Sequence, residues 1–278
     1  MPIKDVLLPL VGEPSEQATA AIDKCVAVAG DFGARVVALA IEQDVHVRPQ
    51  AISPDLDNAE VTEAVRSVTD ARGLLRAFDS AAIRFGVRNE QRLQKLSASD
   101  VAGALAGQAR LADLSLVPIK QNGTSEKLVE RLLFGSGRPV LICPEDLAAD
   151  LSVAFDDVLI AWDHSAPAAR AVADALPLLQ SAARVRIITA TDSKTSREIS
   201  SGSALVAHLA EHGIEAEFAA VKIEGSSIGK VFEAHVRLHA TDLLVMGGYG
   251  HSRLNEIMWG GATKTVISRP RCWVMMSH

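Results

Sequence analysis

Aromatic side chains are scarce in this sequence, with one tyrosine, three tryptophans and seven phenylalanines among 278 residues. The core must therefore be aliphatic, and Ala, Val, Leu and Ile dominate, which suits buried parallel strands covered by small-residue helices. Cysteine is sparse too. Cys25, Cys143 and Cys272 are far apart along the chain, odd in number and without metal spacing, which speaks against a disulfide framework and for reduced core residues. Excess positive charge is missing: the net charge is −6 and neither half is basic, so a nucleic-acid surface is not expected. No apolar run approaches the ~18 residues of a membrane span, and Lys4 and Asp5 precede only a short one, so neither a membrane anchor nor a signal peptide is visible. A cytoplasmic protein is expected. Two phosphate-binding fingerprints, G-x4-G-K-[ST] and G-x-G-x-x-G, are absent, and so is the G-x-S-x-G elbow of serine hydrolases.

What is present is a repeat. Asp5-Val-Leu-Leu-Pro-Leu returns as Asp157-Val-Leu-Ile-Ala-Trp, and Ala34-Arg35-Val36 as Ala183-Arg184-Val185. Ala112-Asp113 aligns with Thr241-Asp242, and Arg138-Pro139 with Arg269-Pro270. The offsets are 152, 149, 129 and 131 residues, so the second copy is shorter by about twenty residues between its second and fourth strands. Two domains are expected, 1–150 and 151–278, each within the size range of independent folding units. With 48% hydrophobic and 22% charged residues the chain can fill two cores.

Each copy alternates short apolar runs with longer helical ones. In the first, strands are expected at Val6–Leu10, Arg35–Ile41, Arg88–Leu93, Leu114–Ile119 and Val140–Cys143, with helices at Glu16–Gly30, Ala59–Phe85, Ser99–Leu111 and Ser125–Phe134. In the second, strands are expected at Val158–Trp162, Val185–Ala190, Glu217–Lys222, Leu243–Met246 and Cys272–Met276, with helices at Ala166–Leu179, Ser201–His212, Ile228–His239 and Thr263–Ser268. Strand-helix alternation of this kind gives right-handed crossovers and a parallel sheet with helices on both faces, and places ligands outside the carboxyl ends of the strands.

The strand ending at Met246 empties into Gly247-Gly248-Tyr249-Gly250, and Gly260-Gly261-Ala262-Thr263 follows at the next helix start. Glycines let backbone N–H groups close on an anion, and a helix N-terminus adds free donors and a positive dipole end. The spacing Gly247-x2-Gly250-x9-Gly260 reads as a phosphate cradle, or as a turn without a ligand.

Together with Asp163 at the end of a first strand, this element order and glycine spacing resemble the universal stress protein family in its tandem form. The resemblance covers nearly the whole chain in architecture, while the glycine motif occurs only in the second copy. It implies two tandem Rossmann-like domains of the adenine nucleotide alpha hydrolase type, each a five-stranded parallel sheet. It also implies a cytoplasmic stress-response protein binding ATP or another adenine nucleotide, with magnesium as a candidate companion. Carried over by position, the nucleotide-binding residues are Ala161, Trp162, Asp163, Ala190, Met246, Gly247, Gly250, Gly260, Gly261, Ala262 and Thr263. Arg253, within the loop, is a further candidate by its charge. The family pattern has Ser or Thr directly after the last glycine, and here Gly261 stands there. By the same resemblance the last strands of the two copies pair within the chain, an intramolecular pseudo-dimer, and any homodimer would use another surface.

The first copy lacks these features, since Val11 stands for Asp163, Pro118 for Gly247 and Gln121 for Gly250. Pro118 has neither the donor nor the backbone freedom a phosphate loop needs. The first copy is read as a structural partner with a decayed nucleotide site, and Gly135-Ser136-Gly137 is left as a candidate for another ligand. His208 and His212, like His235 and His239, share a helix face at i, i+4, but no zinc spacing accompanies them, and no metal is expected. The Ser-Gly-Gly-x-Asp-Ser run of pyrophosphatase-like relatives is replaced by Trp162-Asp163-His164-Ser165. A dedicated enzyme is therefore not expected. Two alternatives stay beside the nucleotide-regulated reading: a protein that binds an unknown protein partner without nucleotide, and a slow nucleotide hydrolase.

Overall fold

A computed structural model of the chain describes residues 2–44, 54–120, 124–191, 196–223, 225, 227–248 and 261–278, with the side chains of 54–61, 124–125, 196–199 and 261–262 left aside. In chain order the first half comprises β1 (Asp5–Leu10), α1 (Glu16–Asp31), β2 (Arg35–Gln43), α2 (Pro54–Phe85), β3 (Asn89–Leu96), α3 (Val101–Ala109), β4 (Leu114–Ile119), α4 (Thr124–Ser136) and β5 (Val140–Pro144). The second comprises β6 (Asp157–Ala161), α5 (Ala166–Leu179), β7 (Arg184–Thr191), α6 (Ser196–Glu211), β8 (Ala216–Lys222), α7 (Ile228–His239), β9 (Leu243–Gly247), α8 (Gly261–Ser268) and β10 (Trp273–Ser277). One 3-10 turn, Glu145–Leu147, follows β5.

All ten strands form one sheet in the order β3-β2-β1-β4-β5-β10-β9-β6-β7-β8. Within each half the pairing is parallel, and the halves join through the antiparallel pair β5 and β10, with Ile142 opposite Val274 and Val140 opposite Met276. The expected pairing of last strands is therefore found. The central strands are buried on both faces, as their near-continuous apolar runs require. The outer strands β3 and β8 alternate polar with apolar positions, and their burial alternates with them.

Two apolar layers flank the sheet. One gathers α1, α2, α5 and α6 around Val6, Leu8, Phe78, Val158, Leu205 and Trp273. The other gathers α3, α4, α7 and α8 around Leu7, Leu105, Leu132, Phe232 and Val274. His208 on α6 and His212 just after it thus lie in a different layer from His235 and His239 on α7. Their rings face each other only within each pair, at centroid separations of 4.9 and 5.8 Å.

The repeated sequence words mark a clamp at the strand entries. Asp113 accepts from the backbone N–H groups of Lys4 and Asp5, at 2.8 and 3.0 Å, and Arg35 donates to Asp5. In the second half Asp242 accepts from Asp157 N–H at 2.9 Å, and Arg184 and Arg186 both donate to Asp157. The repeats differ in length where the offsets placed the loss: α2 has 32 residues and α6 has 16. At about 1.5 Å per residue the extra turns make α2 roughly 24 Å longer.

Cys25, Cys143 and Cys272 are free and buried, as expected, and Cys25 neighbours Cys143 because α1 packs over β5. Gly135-Ser136-Gly137, the candidate for another ligand, has contacts within its own chain. It ends α4 on the strand-entry side of the sheet, where Ser136 donates to Leu132 O and accepts from Arg138 N–H, and Arg110 donates to Gly135 O. Gly137 takes φ +66°, the left-handed turn that commonly ends a helix.

Candidate functional site

The strand order reverses between β6 and β9, so the crevice of the second half opens over the carboxyl ends of those two strands. Ala161, the last residue of β6, stands in register beside Met246 near the end of β9. Both are buried in the α7 and α8 layer, and Ala190 near the end of β7 packs against the same layer. Three of the carried-over residues therefore meet at one rim. Trp162 turns to the opposite layer, where its indole N–H donates to Ser201 Oγ at 3.3 Å. Its backbone N–H donates to Ile188 O and its carbonyl accepts from the Thr189 hydroxyl, so its polar groups are already used.

Asp163 sits in the exposed loop between β6 and α5, and its Oδ1 accepts from Ser165 N–H at 3.0 Å. The N-cap of α5 is Ser165, whose hydroxyl accepts from Ala168 N–H at 3.2 Å. Asp163 makes the turn that leads into this cap, and Ser165 is the cap itself. Between them His164 holds φ 61°, a left-handed backbone uncommon outside glycine and found where a turn is fixed by its surroundings.

Gly247 closes the crevice from the β9 side. A Cβ there would lie 2.5 Å from Ala168 N and 2.7 Å from Pro167 C, both backbone atoms of the first turn of α5. Strand tip and helix start approach this closely only because position 247 has no side chain. Gly250, Arg253 and Gly260 lie outside the described residues. Gly261 is the first residue of α8, Ala262 follows in its first turn, and Thr263 is buried there at 3% exposure.

A cavity lies elsewhere, over the first half. It measures about 760 Å³ and is lined from β1, α1, β2, α2, α3, β4, α4 and the turn after β5. Glu145 sits in it at 8% exposure with Oε2 unpartnered among the described residues. Burial pushes its carboxyl above the ordinary value, nearby Asp146 adds to that, and Lys120 opposes it. These residues escaped the sequence reading because they are spread along the chain from Pro9 to Glu145. The only local signal is Lys127 and Arg131, one helical turn apart.

No family model matches the chain, and no curated protein does. Solved structures do. A universal stress protein from Archaeoglobus fulgidus DSM 4304 superposes over 98% of this chain and 94% of its own, with TM-score 0.68 and 18% identity. A putative universal stress protein from Pseudomonas aeruginosa UCBPP-PA14 covers 98% of this chain and 92% of its own, with TM-score 0.58 and 14% identity. The universal stress protein from Archaeoglobus fulgidus in complex with dAMP covers 51% of this chain and 98% of its own, with TM-score 0.33 and 15% identity. The chain has the α/β fold of that Archaeoglobus fulgidus DSM 4304 universal stress protein over nearly its whole length. Among the described residues no helix is long and apolar enough to cross a membrane.

Proposed function

We propose that the chain is a tandem universal stress protein, with domains 1–150 and 151–278, that binds one adenine nucleotide over β6 and β9 and acts as a cytoplasmic regulatory or partner-binding protein. The observation that carries this reading is Gly247 packed onto the start of α5 beside the Asp163 loop, at the point where the strand order reverses. In this reading the adenosine portion lies over Ala161, Ala190 and Met246 with Asp163 at its edge. The phosphates, with magnesium as companion, meet the backbone of Gly247, Gly250 and Gly260 to Thr263, and Arg253 adds charge. The first half cannot offer the same cradle, because Pro118 and Val11 replace the glycine and the aspartate.

Calorimetry with ATP and ADP tests the reading. One site per chain is expected, with affinity lowered at least tenfold by Asp163→Ala and raised by Gly261→Ser, which restores a hydroxyl to a charged phosphate oxygen. A hydrogen bond of that kind contributes about 1.5 to 3 kcal/mol. No binding at millimolar nucleotide would favour a partner-binding protein without nucleotide, and two equivalent sites would overturn the decay of the first. Turnover lost in Asp163→Ala would move the assignment to a slow hydrolase.

A further inference from the structure

The cavity over the first half lies where a nucleotide would sit if that half kept the motif, yet its lining suits different chemistry. Pro118 supplies no N–H at the end of β4, and Val11, 48% exposed, replaces the carboxylate after β1. At about 760 Å³ the space nevertheless falls within the roughly 300 to 1,000 Å³ of small-molecule sites. The long α2, which has no counterpart of its length in the second half, contributes one wall from Glu63 to Leu74.

Three parts of the lining differ in character. Leu10, Ile22, Ile41, Leu74 and Leu128 make an apolar surface. On the α2 side Arg66 is already paired with Glu13 and Asp70, and Glu63 stands on the same wall, so that side carries net negative charge. On the α4 side Lys127 and Arg131 are exposed at the rim with no ion-pair partner among the described residues. At the turn after β5, buried Glu145 has a carboxyl oxygen without a hydrogen-bond partner. A buried polar atom left unpaired is uncommon and costly, and a ligand that pairs it recovers that loss.

We propose that this cavity binds an amphipathic organic monoanion, a small carboxylate or sulfonate. Lys127 and Arg131 hold its charged end, the aliphatic surface takes its apolar body, and a polar N–H or O–H group reaches Glu145. Charge-assisted contacts at the rim fix orientation, and burial of the body supplies most of the affinity. The site is independent of the nucleotide reading of the second half.

The probe is 8-anilinonaphthalene-1-sulfonate, which carries a sulfonate, an aromatic body and one N–H, titrated into the full chain at low salt. One saturable site per chain is expected. Lys127→Ala with Arg131→Ala should weaken it at least tenfold. N-phenyl-1-naphthylamine, the same body without the sulfonate, should bind at least tenfold more weakly to the natural chain and be unaffected by that double change. Both substituted residues are exposed, so folding is preserved, and the far-UV spectrum and melting temperature check it. Glu145→Gln should keep binding and Glu145→Leu should lower it several-fold. Saturating ATP should leave the probe in place. Non-saturable binding, equal binding of the two naphthylamines, or indifference to the double change would overturn the proposal. Competitive displacement by ATP would overturn it too, by returning the cavity to nucleotide.

Discussion

Leu133 of α4 packs directly on Gly248, the residue after β9: a Cβ at position 248 would lie 2.3 Å from Leu133 Cδ2. Leu133 belongs to the first half and is 1% exposed, so this contact ties the glycine turn of the second half to a helix of the first. His278 adds to the junction, with its ring 4.6 Å from the Phe134 ring and Nδ1 2.9 Å from Gly248 O. The same helix carries Lys127 and Arg131 at the rim of the other crevice.

Gly248→Ala should overpack this contact and cost about 1 to 3 kcal/mol. Leu133→Ala alone should cost about 2 to 5 kcal/mol through the cavity it leaves. Together they should cost less than their sum, because the added methyl enters the space the leucine vacates. A denaturant double-mutant cycle checks this, and strict additivity would show that the two residues do not press on each other.

Gly247→Ala should be worse than Gly248→Ala. Its added Cβ meets backbone atoms of Pro167 and Ala168, which cannot rotate away as a leucine methyl can. A loss of about 3 kcal/mol or more is expected, at the top of the overpacking range. Equal or smaller loss at position 247 would mean that the start of α5 shifts freely, and the close approach is then not a fixed feature of the crevice.

The two strand-entry clamps should differ in strength. Asp157 has 4% of its side chain exposed, against Arg186 at 18%, while Asp5 and Arg35 are 31% and 41% exposed. Asp157→Ala leaves a partly buried guanidinium uncompensated and should cost about 3 to 5 kcal/mol. Asp5→Ala disrupts a wetter pair and should cost about 1 kcal/mol or less. Thermal or urea unfolding of the two variants gives the comparison.

Glu145→Gln should raise stability at neutral pH. Burial lifts the folded-state pKa of Glu145 above its ordinary 4.5, so the folded chain holds that proton more tightly than the unfolded one. The stabilisation is full below about pH 4.5 and fades as pH rises through the folded value. A glutamine has no such proton to lose. Its advantage should therefore grow above pH 4.5 and vanish below it in urea titrations at several pH values. A constant difference across that range would place the cause outside ionisation.

All three thiols should resist alkylation in the native state. Cys272 is pushed up to about 12 by burial, and burial together with Cys143 and Glu145 holds Cys25 well above its ordinary value. Those two thiols are poor nucleophiles, and Cys143 is fully buried from the reagent. Iodoacetamide at pH 8 should label the chain only after unfolding, by mass spectrometry, and rapid native labelling would contradict the burial.

The inner strands were readable because most are short runs of Val, Leu and Ile with Asp or Arg at the entry, and the repeated Asp5, Asp157, Asp113 and Asp242 proved to be the clamp itself. The joining of β5 to β10 followed from the resemblance, not from any local pattern. The start of α2 was placed five residues late, at Ala59, because Pro54 at a helix start reads equally as a loop residue. Cys25 and Cys143 touch only because a helix crosses a strand far along the chain, which spacing cannot show. The cavity around Glu145 was invisible for the same reason, since its walls are spread from Pro9 to Glu145 and meet only in the fold. At the second crevice the positions of Asp163 and Gly247 were legible, but the role of Ser165 as the cap needed coordinates.

The antiparallel joining of β5 and β10 within one chain has a consequence for what the two crevices can be. Two separate copies meeting through the same strands would carry identical sites, since a two-fold interface presents the same surface twice. Their pairing would also loosen on dilution. A covalent link makes the pairing intramolecular and holds the halves together at any concentration. It also frees them from sameness, so that one half can carry Asp163 and Gly247 over its sheet while the other carries Val11, Pro118 and a longer α2 over the continuation of that same sheet.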